Sequence, residues 1–277
     1  MNNNSEPIGN HEPTTDHKRP VAYKNEQFLD SPDARGLRIL SEYLEPLAHF
    51  RREHIRDTIV FFGSARIEPP DSLPSPMGRY YHEARILAKL ITQWSNSLQD
   101  PTRRFVVCSG GGPGIMEASN RGAQEAHGKT IGLNIGLPAE QMPNPYITPE
   151  LNFQFHYFFM RKFWFAYLAK AVVFFPGGFG TLDELMEVLT LVQTRKLNKK
   201  IIILLYGREF WDEVINFQAL VKHGTISESD LELFEYANDP ATAMQILKES
   251  LTKYYLHPEE PIPASMKVEP DIASSRL

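Results

Sequence analysis

The chain has 277 residues, 42% of them hydrophobic and 23% charged, with 29 Lys and Arg against 34 Asp and Glu for a net charge of −5. That balance gives no basic footprint for nucleic-acid backbones, and no stretch approaches the roughly 20 apolar residues of a membrane span. The single cysteine, Cys108, excludes an internal disulfide framework and a thiolate metal cluster. With a polar beginning that lacks an apolar leader run, these features predict a cytoplasmic enzyme without nucleic-acid or membrane partners.

In chain order, Met1 to about Asp30 is polar and predicts a flexible segment. Ser31-Pro32-Asp33 predicts a helix start, with Leu37, Leu40, Leu44 and Leu47 recurring at helical spacing, so residues 31–57 read as an accessory helix beside the core. From Thr58 short apolar runs alternate with amphipathic stretches. Strands are expected at Ile59–Phe62, Phe105–Ser109, Thr130–Asn134, Ala171–Phe175 and Lys200–Leu205. Helices are expected at Tyr80–Leu98, from the Gly110–Gly114 loop through His127, at Phe155–Lys170, from Leu185 onward and at Phe210–Val221. The alternation runs unbroken over residues 58–255 and predicts one domain: a Rossmann-like, doubly wound parallel sheet in three α/β/α layers. Residues 256–277 are rich in Pro, Glu and Ser and predict a flexible tail.

Ligands of such sheets bind at the carboxyl ends of the strands, where the Gly63, Gly110 and Gly177 loops fall. Gly177, Gly178 and Gly180 predict a sharp turn whose bare N–H groups admit a phosphate. Thr181 is expected to cap the following helix, whose dipole then favours an anion. Glu184 stands at Thr181-x-x-Glu184, which is also the spacing of a capping box, and spacing alone leaves structural and chemical roles open. Glu117, one turn into the helix after Gly114, is either a favourable first-turn charge or a site residue. Arg161 and Lys162 lie within an aromatic stretch, where they could cover apolar surface with their stems or point at Glu184. The Gly110–Gly114 cluster fails the dinucleotide fingerprint in both registers, because Ile115 or Glu117 occupies the final glycine position. Gly128-Lys129-Thr130 lacks the first glycine of a P-loop, which is Ala123 here.

Pro176-Gly177-Gly178-Phe179-Gly180-Thr181-Leu182-Asp183-Glu184 matches the PGGxGTxxE signature of the Lonely Guy (LOG) family, once labelled lysine decarboxylases. Met160-Arg161-Lys162, Gly111-Gly112-Pro113-Gly114-Ile115-Met116-Glu117 and Gly63-Ser64-Ala65-Arg66 resemble three further motifs of that family, in order, over roughly Thr58 to Val221. The resemblance implies a homodimer that hydrolyses the N-glycosidic bond of nucleoside 5′-monophosphates, cytokinin riboside monophosphates among them, to a free base and ribose 5-phosphate. It implies Glu184 and Arg161 as catalytic residues, and substrate contacts from Gly63, Ser64, Gly111, Gly112, Gly114, Glu117, Lys162, Gly177, Gly178, Gly180 and Thr181. No metal or cofactor is expected.

The chemistry agrees with these residue types. A carboxylate can stabilise the oxocarbenium-like sugar and activate water, an arginine can orient it, and the amides of Gly178, Gly180 and Thr181 can hold a remote phosphate. A pyridoxal-phosphate decarboxylase is disfavoured because no lysine lies in a Schiff-base setting. A non-catalytic nucleotide or cofactor carrier is the alternative. The apolar residues of Phe155–Lys170 fall on more sides than a one-faced surface helix buries, which predicts either a second chain or the 33–56 helix as their cover.

Overall fold

The computed structural model describes residues 19–69, 77–98, 102, 104–136, 142–197 and 199–256, so the expectations for residues 1–18 and 257–277 lie outside the described residues. The chain divides into two compact units between Ser41 and Glu42. In the first, a 3-10 turn at Ala22–Lys24 and the short helix α1 (Glu26–Leu29) lead to α2 (Arg35–Arg52), which begins after a 3-10 turn at Pro32–Ala34 and continues into the second unit. None of the described helices is long and apolar enough to cross a membrane.

The second unit is built on strands β1 (Thr58–Phe62), β2 (Val106–Ser109), β3 (Thr130–Ile135), β4 (Asn152–Phe155), β5 (Ala169–Phe174), β6 (Ile202–Tyr206) and β7 (Phe234–Ala237). They form one sheet in the order β4-β3-β2-β1-β5-β6-β7 with every pairing parallel. Between them run α3 (Gly78–Asn96), α4 (Ile115–Glu125), α5 (Phe158–Leu168), α6 (Phe179–Gln193), α7 (Arg208–Val214) and α8 (Phe217–Lys222), and α9 (Pro240–Leu251) follows β7. The chain enters at the centre with β1, builds outward to β4, then returns to the other side of β1 with β5. The resulting switch point lies between β1 and β5, where doubly wound sheets open a crevice at their carboxyl ends.

Both faces of the sheet are covered, which explains why the central strands are apolar throughout rather than alternating. Ile59 and Phe61 of β1 join Tyr81, Leu87, Ile115 and Leu247 in the core under α3, α4 and α9. On the opposite pleat, Phe62 meets Phe165 of α5 with ring centroids 4.8 Å apart.

Three expectations need correction. The stretch Phe155–Lys170 is not one helix: Phe155 ends β4, and α5 passes without a loop into β5 at Ala169. Phe210–Val221 is two helices, because Ile215 is extended and the Asn216 side chain accepts a hydrogen bond from Ala219 N–H to start α8. The sheet also gains β4 and β7 at its edges, each only four residues long and alternating or mixed in burial.

The placement of α5 follows from local hydrogen-bond chemistry at both its ends. Pro46 inside α2 has no N–H to give the carbonyl of Glu42, and that carbonyl instead accepts the Trp164 indole N–H at 2.9 Å. The Glu42 carboxylate accepts the backbone N–H groups of His156 and Tyr157 at 2.7 and 3.2 Å, placing negative charge at the amino end of α5. At the other end Lys199 Nζ donates to the carbonyls of Ala166 and Tyr167, both at 2.6 Å. Burial, reinforced by Lys170, holds the Lys199 ammonium well below its usual pKa, with Asp57 opposing.

Candidate active site

The loops after β1, β2 and β5 meet around Ser64. Its N–H donates to the Pro176 carbonyl at 3.0 Å, and its own carbonyl accepts the Ile115 N–H at 3.1 Å, at the first residue of α4. These bonds hold the glycines tightly. A Cβ on Gly63 would stand 2.7 Å from the Ile115 side chain, and one on Gly114 would stand 2.3 Å from the Ser64 carbonyl.

The loop after β2 is a closed structure. Gly111 and Gly114 have φ of +76° and +71°, conformations that an L side chain rarely adopts. The Asn144 side chain donates to the carbonyls of Gly111 and Gly112 at 3.0 and 3.1 Å and to Asn120 Oδ1 at 2.9 Å, and Gly111 N–H donates to Ser109 Oγ at 3.1 Å. Gly111, Gly112 and Gly114 are all buried. Glu117 accepts a 2.7 Å hydrogen bond from the Tyr81 hydroxyl. Burial and this carboxylate push the Tyr81 phenol up to about 12, with Arg121 pulling the other way. The ion pairs around Glu184 do not include Glu117.

The loop after β5 is open. Gly178 and Gly180 are exposed, and a Cβ on either would meet nothing within 4 Å. Neither has a positive φ, nor does Gly177, so the expected need for turning freedom is corrected: Gly178 and Gly180 contribute bare space. Gly177 does something else, since its Cβ would collide with Thr181 Oγ1 at 2.2 Å. Thr181 is not the cap. Helix α6 begins at Phe179 with Gly178 as N-cap, so Thr181 is a buried residue of the first turn whose N–H donates to the Gly178 carbonyl at 3.0 Å. The capping box with Glu184 therefore does not form. The amides of Gly178, Phe179 and Gly180 precede the helix's own ladder, and the helix dipole makes their position favourable to an anion.

Glu184 lies on the inward side of α6 and is 5% exposed. Its Oε1 stands 3.6 Å from Lys162 Nζ and 4.0 Å from Arg161 Nη2, so α5 and α6 bring together the three residues that the sequence suggested separately. Burial raises the Glu184 carboxyl to about 7, with Lys162 and Arg161 resisting. Burial lowers the Arg161 guanidinium, against the pull of Glu184 and Asp183, and its Nε is buried without a hydrogen-bond partner among the described residues. Arg161 also lies over the rings of Phe158 and Phe165 at 5.0 and 5.6 Å, which fixes its plane. Burial opposes the charge on Lys162, but hydrogen bonds to Asp183 and Glu187 outweigh it and raise its pKa.

Four contributors were missed. Asp183 and Glu187 bind Lys162 at 2.7 and 2.6 Å; Glu187, three residues beyond Glu184, follows the helical spacing that could have revealed it. Tyr81 holds Glu117, and Glu42 anchors α5 from more than a hundred residues away, where no local signal exists.

Comparison with known proteins adds the following. The family model described as "Possible lysine decarboxylase" matches residues 116–247. The pyrimidine/purine nucleotide 5′-monophosphate nucleosidase of Escherichia coli strain K12 is 31% identical over 100 residues, a match covering 31% of this chain and 20% of the nucleosidase. Among solved structures, the molybdenum cofactor carrier protein of Chlamydomonas reinhardtii is 20% identical with a TM-score of 0.48, covering 72% of this chain and 99% of its own. The molybdenum cofactor binding protein of Rippkaea orientalis is 20% identical with a TM-score of 0.46, over 71% of this chain and 98% of its own.

Proposed function

We propose, for a chain that belongs to the family described as possible lysine decarboxylases, the LOG family, that it hydrolyses the N-glycosidic bond of nucleoside 5′-monophosphates. The observation that carries this reading is the buried Glu184 carboxyl beside two cations, on the same helix whose amino-terminal glycines stand open. The nucleotide's phosphate is assigned to the amides of Gly178, Phe179 and Gly180, remote from the reacting carbon, so that its binding energy positions the sugar. The C1′–N bond breaks with its electron pair passing to the base, and a water oxygen bonds to C1′. Glu184, ionised, stabilises the positive sugar and takes a proton from that water. Arg161, with a spare buried N–H, orients Glu184 and the leaving base, which takes a proton from solvent as it departs, while Glu184 returns the water's proton to solvent. The products are the free base and ribose 5-phosphate. The nucleosidase similarity supports the same reaction class.

The test is incubation with a panel of nucleoside 5′-monophosphates, cytokinin riboside forms included, and chromatography for released base. Release of base from at least one supports the reading. Nucleotide that binds and is recovered intact identifies a carrier instead.

The same proposal includes a homodimer. Phe158, Phe159 and Phe163 of α5 are 49, 50 and 37% exposed, although Tyr43 meets Phe163 at a tilt at 5.7 Å, stacks on Trp164 at 5.6 Å and covers part of that face. A two-fold pairing would bury the remainder beside Arg161. Light scattering over a dilution series checks it, and a monomer of full activity at every concentration would contradict it.

A further inference from the structure

Five charged groups converge between α5 and α6: Arg161 and Lys162 from the first, Asp183, Glu184 and Glu187 from the second. Three acids thus face two cations, and the ammonium is not shared equally. Lys162 Nζ lies 2.7 Å from Asp183 and 2.6 Å from Glu187, both hydrogen-bonding distances, yet 3.6 Å from Glu184. The two carboxylates that hold it are the more exposed ones, with side chains 62 and 36% accessible against 7% for Glu184. Left alone with the buried carboxylate, an ammonium at this distance would close to direct contact, because the attraction is strongest where water is excluded. Among the described residues nothing donates a hydrogen bond to the Glu184 carboxylate, whose cations stand at 3.6 and 4.0 Å.

We propose that Asp183 and Glu187 are positioning residues that hold Lys162 off Glu184, so that its charge still acts on the buried carboxylate while the carboxylate oxygens remain available to the reacting water. This rests on the hydrolase reading for its catalytic consequence, not for its geometry. Removing the negative charge of Glu187 lets Lys162 close onto Glu184 and relieves repulsion, both of which favour the ionised carboxylate. Removing Lys162 does the reverse. The two changes are therefore expected to move the Glu184 titration in opposite directions, which a merely structural role would not do.

The experiment follows the Glu184 side-chain carboxyl by carbon-13 NMR across pH in the nucleotide-free protein, its signal assigned by its loss in Glu184→Gln, alongside pH profiles of kcat/KM on AMP. Glu187→Gln, and more so the Asp183→Asn/Glu187→Gln pair, should lower the titration midpoint by about half a unit or more, Lys162→Met should raise it similarly, and Lys162→Arg should restore it. The acid limb of kcat/KM should move with each midpoint. In Glu187→Gln kcat should also fall at pH 8, where Glu184 is ionised in both proteins, because Lys162 then occupies the carboxylate. An unmoved midpoint in Glu187→Gln, or an unchanged kcat at pH 8, overturns the proposal. Midpoints that shift as expected in a protein releasing base from no nucleotide would retain the charge arrangement and reject the hydrolase reading alone.

Discussion

The molecule carries two glycine-rich loops that look alike in sequence and are built for opposite purposes. Gly110–Gly114 is closed: Gly111 and Gly114 adopt positive φ and lie buried, and the loop is bound by Asn144, Ser109 and Ser64. Gly177–Gly180 adopts no positive φ at its glycines, and two of them face open space ahead of α6. In the first loop the missing Cβ permits backbone to approach backbone. In the second, among the described residues, it leaves open space ahead of α6. A glycine cluster is thus not by itself a phosphate site, and what separates the two cases is whether the neighbouring amides are already used.

Substitutions should separate the loops in this order of effect. Gly114→Ala places a Cβ 2.3 Å from the Ser64 carbonyl at a φ of +71°, and thermal or urea unfolding should report a loss of about 3 kcal/mol or more. Stability unchanged within error would mean that the closed loop is not needed for folding. Gly178→Val should instead leave stability within about 1 kcal/mol, since its φ of −91° suits any residue and no atom crowds its Cβ. It should weaken AMP binding, measured by calorimetry, about tenfold or more, and wild-type affinity would remove the phosphate from this loop.

A smaller effect comes from Glu184 itself. Its folded carboxyl keeps a proton up to about 7, while the unfolded chain releases it near 4.5. The folded state therefore binds more protons between these values, and the stability this gives below pH 4.5 is lost as pH rises through 7. Glu184→Gln should escape that loss and exceed the wild type at pH 8 by on the order of 1 kcal/mol, the difference vanishing toward pH 4. A difference independent of pH would show that the buried carboxyl is not strained by its surroundings.

Much of this was legible in the residues. The central strands announced themselves as apolar runs too continuous for a one-sided sheet, and the glycine loops marked their carboxyl ends. The edge strands did not: Asn152–Phe155 is four residues, and its last residue, Phe155, merges into the aromatic stretch that follows, so the expected helix absorbed it. Thr181 looked like a cap because Thr-x-x-Glu is a capping spacing, but the helix begins two residues earlier, at Phe179, and Thr181 packs beneath Gly177 instead. Arg161 and Lys162 could be read as a pair, whereas their unequal sharing among Asp183, Glu184 and Glu187 depends on how α5 lies against α6. That placement is set in part by Glu42 and Pro46, whose influence passes through one orphaned carbonyl and one carboxylate that no local pattern marks.

The central claim is that the Glu184 carboxylate drives hydrolysis at the open loop. The most direct measurement is the rate at which AMP yields free adenine and ribose 5-phosphate at pH 8, compared between the wild type and Glu184→Gln after equal nucleotide binding has been confirmed. The account predicts release by the wild type and a rate at least about 100-fold lower in the variant, because the substitution keeps the shape and deletes the charge facing the developing cation. Rates equal within a few-fold would contradict it and return Glu184 to a purely structural place in α6.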